Sequence, residues 1–168
     1  PRLYPDLSED FLSVLAPAER TQPIQSYFHR ILDPDPAVHG PAARAWHGTE
    51  RLLSEHTPSR TRLDLDRVNS SHLLPATPFM EAHYFSSNSF MRPNQLMAEA
   101  TRLAGVPGII VQGRYDLLCP PKISHALGAT WRDAEIRIVE GAGHTLYDPG
   151  VRNAVMRAIA DMATRIQQ

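Results

Sequence analysis

Two short strand-like runs in the second half of the chain constrain its fold most strongly. Three of the four residues 109–112 are apolar, and residues 135–139 alternate between charged and apolar side chains. Helical patterns precede the first run, separate the two and follow the second. This order is typical of a parallel α/β sheet. Since two parallel strands do not make a stable sheet, we expect the other strands to come from elsewhere, most simply from an N-terminal segment on a separate chain.

A residue with catalytic potential follows each predicted strand. Asp116 ends the turn after the first strand, and His144 ends the Gly-Ala-Gly-His turn after the second. An aspartate followed by a histidine, each just past a strand, matches the last two members of a Ser–Asp–His triad in chain order. One helix and one strand fit between them, so both would reach the same edge of the sheet. Either residue alone is more simply interpreted as a turn or surface-loop residue; the pair favours catalysis.

The nucleophile that this pair requires is missing from the sequence. No Gly-x-Ser-x-Gly turn, the motif that presents the attacking serine in such triads, occurs in the chain. Cys119 lies beside a proline in an apolar context, and we expect it to be a buried structural thiol rather than a nucleophile. The sequence therefore predicts a companion N-terminal chain that carries the serine and the oxyanion hole.

Composition argues against several other classes of function. The net charge is −1 and the Lys and Arg residues are scattered among acids, so we expect no nucleic-acid partner. No apolar run approaches the roughly 18 residues of a membrane span, and no basic-then-apolar leader is visible, so we expect a cytoplasmic protein with no membrane partner. Metal-ligand spacings and Gly-rich phosphate loops are absent, so we expect neither a metal nor another cofactor.

Helical periodicity accounts for most of the remaining sequence. It predicts a helix over residues 23–32, a second that starts at Pro36, and a third from about Pro93 to residue 103. A last helix is expected to start at Asp148-Pro149. Residues 54–76 are polar with little periodicity and are expected to be irregular.

Two glutamates are candidates for binding a cation. Glu81 lies in an apolar and aromatic run that also contains Tyr84 and Phe85, whereas Glu50 alone would be interpreted as a solvated helix residue. Two carboxylates that meet in an apolar pocket repel each other, and a bound cation relieves that cost. Such a pair would make a site for a substrate ammonium group.

Three stretches of the sequence carry a family resemblance: residues 79–85 (FMEAHYF), residues 107–120 (PGIIVQGRYDLLCP) and residues 141–144 (GAGH). Together they resemble the proline iminopeptidases, or prolyl aminopeptidases, which are α/β-hydrolases with a helical cap. The likeness is strong over about residues 77–150, moderate around residues 42–50 and weak in the first 35 residues. The resemblance implies an α/β-hydrolase fold, with residues 1–90 as a helical cap domain and residues 91–168 as the C-terminal part of the core.

The resemblance also implies roles for the candidate residues. Asp116 would be the triad acid and His144 the general base. Glu50 and Glu81, in the cap, would bind the free α-amino group of the substrate. The aromatic neighbours of Glu81, Tyr84 and Phe85, would line the substrate pocket.

Two positions depart from the family pattern and leave the substrate open. Thr49 stands where the family usually has tryptophan, and Ala82 stands where it usually has asparagine. The main prediction is the C-terminal chain of a serine hydrolase that removes an N-terminal residue, proline or similar, from a peptide or an amino-acyl small molecule. One alternative, motivated by these two positions, is a specialised amino-acyl hydrolase or acyltransferase that acts on a small metabolite. The other is a non-catalytic fragment.

Overall fold

A computed structural model describes residues 3–167 of the chain. The described residues divide into two units. The first comprises residues 3–52 and 59–93, and the second comprises residues 53–58 and 94–167. The first unit is built from helices, and the second combines helices with a parallel sheet.

Helices α1 to α5 begin in the first unit. They are α1 (Pro5–Ser13), α2 (Pro23–Ile31), α3 (Pro36–Ser54), α4 (Leu65–Ser70) and α5 (Thr77–Ser86), with short 3₁₀ helices at Pro17–Thr21 and Asn88–Phe90. Proline in the first turn marks the start of α1, α2, α3 and α5. Its fixed φ suits a helix and its missing N–H would have no partner there. The Asp35 carboxylate caps α3, accepting a hydrogen bond from the Ala37 N–H at 2.8 Å.

An aromatic cluster forms the core of the first unit. Tyr27 is fully buried, stacks on Phe11 with ring centroids 4.0 Å apart and donates its hydroxyl to the Phe11 carbonyl oxygen at 2.7 Å. Trp46 of α3 packs against Tyr27 at 5.9 Å and against Phe28 at 5.1 Å. These contacts fix the indole of Trp46, whose N–H reaches the candidate site described below.

Helix α4 contradicts the expectation that residues 54–76 are wholly irregular. The Asp64 carboxylate accepts a hydrogen bond from the first turn of α4, and Val68 is buried in the core. The preceding loop is held to α1, because the buried Asp10 carboxylate pairs with Arg62. The Arg62 hydrogen bond lowers the pKa of Asp10. A helix of six residues is too short for its periodicity to be visible in the sequence.

The sheet of the second unit has the topology that the sequence predicts. Strand β1 (Gly108–Gly113) pairs in parallel with β2 (Ala134–Val139), with Gly108 opposite Ala134 and Gly113 opposite Val139. Helix α7 (Pro121–Thr130) connects the strands, and α8 (Pro149–Ile166) follows β2. Both helices pack against the sheet.

The predicted helix before β1 is broken into two short pieces. Helix α6 (Gln95–Ala98) is followed by a 3₁₀ helix at Ala100–Leu103. Glu99 and Arg102 form an ion pair at 2.7 Å, and a three-residue spacing brings side chains into line in a 3₁₀ helix. Among residues 3–167, no helix combines the length and the apolar character needed to cross a bilayer.

Candidate active site

The turns after β1 and β2 bring Asp116 and His144 together. Nδ1 of His144 lies 2.9 Å from Oδ2 of Asp116. The aspartate is 7% exposed, whereas the histidine side chain is 44% exposed. If the carboxylate accepts a hydrogen bond from the Nδ1–H, Nε2 of the half-exposed ring is free to accept a proton from a reacting group.

The Asp116 carboxylate is oriented by backbone groups of its own turn. Its Oδ1 accepts hydrogen bonds from the Leu118 N–H at 3.0 Å and the Cys119 N–H at 2.7 Å. These bonds leave Oδ2 for the histidine ring. Cys119 therefore contributes through its backbone, and its side chain is exposed rather than buried. The expectation of a buried thiol was wrong, because the backbone that bonds to the carboxylate turns the side chain outward.

Gln112, which the sequence interpretation missed, supports the same carboxylate from β1. It is 5% exposed, and its Nε2 lies 3.3 Å from Asp116 Oδ2. The same nitrogen lies 3.0 Å from the Gly113 carbonyl oxygen and 3.1 Å from that of Cys119, while Oε1 accepts a hydrogen bond from Ser124. An amide at the end of an otherwise apolar strand is the signal that could have identified it.

Close backbone contact joins the acid turn (residues 113–116) to the histidine turn (residues 141–145). A Cβ atom on Gly113 would lie 1.9 Å from the Gly143 carbonyl oxygen, a distance that no side chain tolerates. The Tyr115 N–H donates to the Ala142 carbonyl oxygen at 2.9 Å. The separation of Asp116 from His144 is thus set by the backbone of the two turns.

Glu50 of α3 and Glu81 of α5 form a carboxylate pair in the first unit. Their side chains are hydrogen-bonded to each other, and Trp46 Nε1 donates to Glu81 Oε2 at 2.8 Å. Burial, together with the Glu81 carboxylate, raises the pKa of Glu50 to about 8. Burial also lowers the pKa of the neighbouring His47, which disfavours the protonated, cationic form of its own ring. The Glu50 carboxyl group therefore keeps its proton at a higher pH than an ordinary glutamate does.

The two aromatic residues predicted to line the pocket lie on α5 in different surroundings. Tyr84 and Phe85 are 48% and 52% exposed. The Phe85 ring lies 6.1 Å from Phe28, on the edge of the aromatic cluster, whereas Tyr84 packs edge-on against Phe90 at 5.6 Å. Their contact with a substrate stays a prediction.

Proteins named proline iminopeptidase are among the known proteins that are similar to this chain. This chain is 35% identical over 151 residues to a proline iminopeptidase of Xylella fastidiosa, and the match covers 88% of this chain and 47% of that protein. It is 33% identical over 161 residues to a proline iminopeptidase of Xanthomonas citri, covering 94% and 50%. A proline iminopeptidase of Arabidopsis thaliana is 29% identical over 151 residues, with 89% and 39% covered. The chain is a relative of the proline iminopeptidases.

The chain spans about half the length of the two bacterial proline iminopeptidases and 39% of the Arabidopsis one. The similarity includes both units, since the uncovered tenth of the chain is smaller than either. It confirms the resemblance predicted from the sequence and is consistent with a C-terminal portion of the family. No family model matches the chain.

The two departures from the proline iminopeptidase pattern have different environments. Ala82 is fully buried, so a longer side chain at this position would need space that the first unit does not provide. Thr49 Oγ1 is buried and has no hydrogen-bond partner among the described residues. An unpaired buried hydroxyl lowers folding stability by about 1–3 kcal/mol, so Thr49, unlike Ala82, carries a destabilising group.

Residues 3–167 contain no cluster of three or more His, Cys, Asp or Glu residues that could hold a metal ion.

Proposed function

We propose that this chain is the C-terminal part of a serine hydrolase of the proline iminopeptidase type, with residues 1–90 in the cap and residues 91–168 in an α/β-hydrolase core. The observation that carries the proposal is the 2.9 Å contact between Asp116 and His144 at the ends of adjacent parallel strands. The names of the relatives support the same reaction class.

His144 transfers the protons in the proposed reaction. Its Nε2 removes the proton from a serine hydroxyl as the oxygen attacks the substrate carbonyl, and it passes that proton to the amine that leaves when the C–N bond breaks. Water then attacks the acyl-enzyme with His144 again acting as base, which regenerates the serine. Asp116 holds the ring and stabilises the imidazolium in both steps.

The serine and the oxyanion hole come, in this proposal, from a segment outside residues 1–168. Among residues 3–167 the sheet has two strands, so each has one edge with no strand beside it. A groove of about 480 Å³ beside β1 and α8 is lined by apolar side chains that include Val111, Ile159 and Met162. An exposed strand edge in apolar surroundings tends to pair with another strand. We propose that the serine-bearing segment completes the sheet next to β1.

The carboxylate pair receives the α-ammonium group of the substrate. A pair that holds one proton without substrate loses it to bind the cation as a dianion. The Trp46 N–H keeps Glu81 oriented for this role, and its hydrogen bonding is satisfied whether or not substrate is bound. This requirement for a free amine would make the enzyme an aminopeptidase.

Replacing Asp116 tests the reaction class. In the complete protein, Asp116→Asn should lower kcat for a prolyl arylamide by about 10⁴-fold, because the ring loses the acceptor that fixes its tautomer. Asp66→Asn, at an exposed position of α4, is the control and should keep the wild-type rate. Wild-type turnover in Asp116→Asn would exclude the proposed role.

A specialised amino-acyl hydrolase or acyltransferase is the second candidate, and the environment of Thr49 favours it. A buried hydroxyl without a partner is suited to a substrate with a polar group, which proline does not carry on its ring. Comparing kcat/KM for prolyl and for larger or hydroxylated aminoacyl arylamides separates the two. A preference for proline supports the aminopeptidase.

A further inference from the structure

Residues 53–58 belong to the second unit although most of α3 belongs to the first. The segment contacts the histidine turn through its backbone. The Ser54 carbonyl oxygen accepts hydrogen bonds from the His144 N–H at 2.8 Å and from the Thr145 N–H at 3.1 Å. One oxygen therefore fixes two consecutive peptide groups at the candidate base.

The approach of this segment requires glycine at position 143. A Cβ atom on Gly143 would lie 2.5 Å from the Ser54 carbonyl oxygen and 2.9 Å from the His56 nitrogen. Both are backbone atoms that cannot rotate away. The Gly-Ala-Gly-His turn is thus shaped by what packs against it as well as by its own bend.

The same segment reaches the acid turn through a side chain. The His56 ring stacks on Tyr115, with centroids 4.5 Å apart and planes 19° from parallel. Tyr115 immediately precedes Asp116, and its N–H donates to the histidine turn. The last residue of α3 and the two residues after it therefore contact both turns that carry the candidate catalytic pair.

We infer that Ser54–His56 is a positioning element for Asp116 and His144, with the Ser54 carbonyl fixing the histidine turn and the His56 ring fixing the acid turn. The inference rests on the proposed function for its consequence on turnover. Neither residue needs to touch the substrate, since both act through the orientation of the pair. A displacement of about 1 Å of a reacting group can lower a rate by about 100-fold. The His56 ring can therefore affect turnover although it acts only through Tyr115, the residue before Asp116.

The position of the stack separates this role from a merely structural one. Tyr115 is 52% exposed and His56 is half-buried, so the stack covers little apolar surface. Its removal should change thermal stability only slightly. An effect on turnover at nearly unchanged Tm would then come from geometry.

Ring replacement at position 56 tests the inference in the complete protein. His56→Ala should lower kcat by about 10-fold with KM nearly unchanged, while His56→Phe, which keeps a flat ring on Tyr115, should stay within about threefold of wild type. His125→Ala, an exposed histidine of α7 in the same unit, is the matched control and should not alter kcat. A loss in His56→Ala that His56→Phe does not rescue would contradict the stacking role.

The tautomer of His144 gives a second measurement that does not depend on hydrolysis. Long-range ¹H–¹⁵N correlation spectra at a pH where the ring is neutral should show Nδ1–H in the wild type and in His56→Phe. His56→Ala should show a larger Nε2–H fraction, because a loosened acid turn no longer holds the Nδ1 proton. Unchanged tautomer populations in His56→Ala would overturn the inference. A shifted tautomer in a protein that hydrolyses no aminoacyl substrate would support the positioning element and reject the proposed function.

Discussion

The two candidate sites in this chain are held in different ways. Asp116 and His144 are positioned by backbone groups, namely the Leu118 and Cys119 N–H groups and the contact between Gly113 and Gly143. Glu50 and Glu81 lie on two helices and are hydrogen-bonded through their side chains, and burial together with the Glu81 carboxylate raises the pKa of Glu50 to about 8. Proton transfer needs a fixed distance between the donor and the acceptor. Two carboxylates that repel each other favour a bound cation because it relieves their repulsion. The first site should therefore respond to changes in shape and the second to changes in charge and pH.

Among changes outside the Asp116–His144 pair itself, the largest effect is expected from a methyl group between the two turns. Gly113→Ala places Cβ 1.9 Å from the Gly143 carbonyl oxygen, so the acid and histidine turns must separate. We expect kcat to fall by about 100-fold or more, and the free energy of unfolding to fall by about 1–3 kcal/mol.

Gly105→Ala is the matched control for this substitution. Gly105 has φ +80° but open space around its missing Cβ, so its replacement should cost stability without lowering kcat. Equal losses of kcat in the two variants would show that general destabilisation, rather than turn geometry, lowers the rate.

A smaller effect is expected at Gln112. Gln112→Leu removes the amide that lies near Asp116 and leaves the Ser124 hydroxyl without its acceptor. We expect kcat to fall by about 10-fold, since the two turn N–H groups still hold the carboxylate, and stability to fall by about 1–3 kcal/mol. Gln112→Glu keeps the shape but adds a charge beside Asp116. It should therefore be worse than the leucine variant, and a better rate in Gln112→Glu would contradict this account of the site.

The carboxylate pair should respond to pH rather than to shape. The pKa of Glu50 is about 8 in the folded chain, whereas an ordinary glutamate has a pKa of 4.5. The folded state therefore binds more protons than the unfolded state between these values, so the pair favours folding fully below about pH 4.5 and loses this contribution as pH rises through about 8.

Glu50→Gln tests this sign directly. The amide cannot ionise, so the Tm of the variant relative to wild type should rise between pH 6 and pH 9, while KM for a free-amine substrate increases. Glu9→Gln, at an exposed position of α1, should show no such trend. A Tm difference that is constant with pH would contradict the raised pKa of Glu50.

The smallest effect is expected at Thr49. Thr49→Val keeps the shape of the side chain and removes the unpaired buried hydroxyl, so stability should rise by about 1 kcal/mol. Chemical unfolding measures this change. A loss of stability would show that the hydroxyl has a partner in the folded protein.

Local patterns account for what the sequence predicted well. The strands, the connecting helix and the order of Asp116 and His144 follow from periodicity and from residues at strand ends. The carboxylate pair needed more: Glu81 stood out among aromatic residues, but Glu50 was identified only through the family resemblance. Its helix gives no sign that the side chain faces another carboxylate.

The missed features depend on contacts between distant parts of the chain. Ser54 and His56 meet the turns only after folding, and nothing in a polar stretch signals a positioning role. The burial expected for Cys119 came from residue type and failed because the turn around Asp116 determines its direction. Gln112 contacts both near and distant partners, and its place at the end of an apolar strand was a usable signal.

The central claim is that His144 activates a serine supplied from outside residues 1–168. Labelling the complete protein with a fluorophosphonate, followed by peptide mapping, tests it most directly. The label should fall on a serine outside these residues, and its rate should drop by about 10³-fold or more in His144→Ala. A label on a serine within residues 1–168, or an equal labelling rate in His144→Ala, would contradict the account.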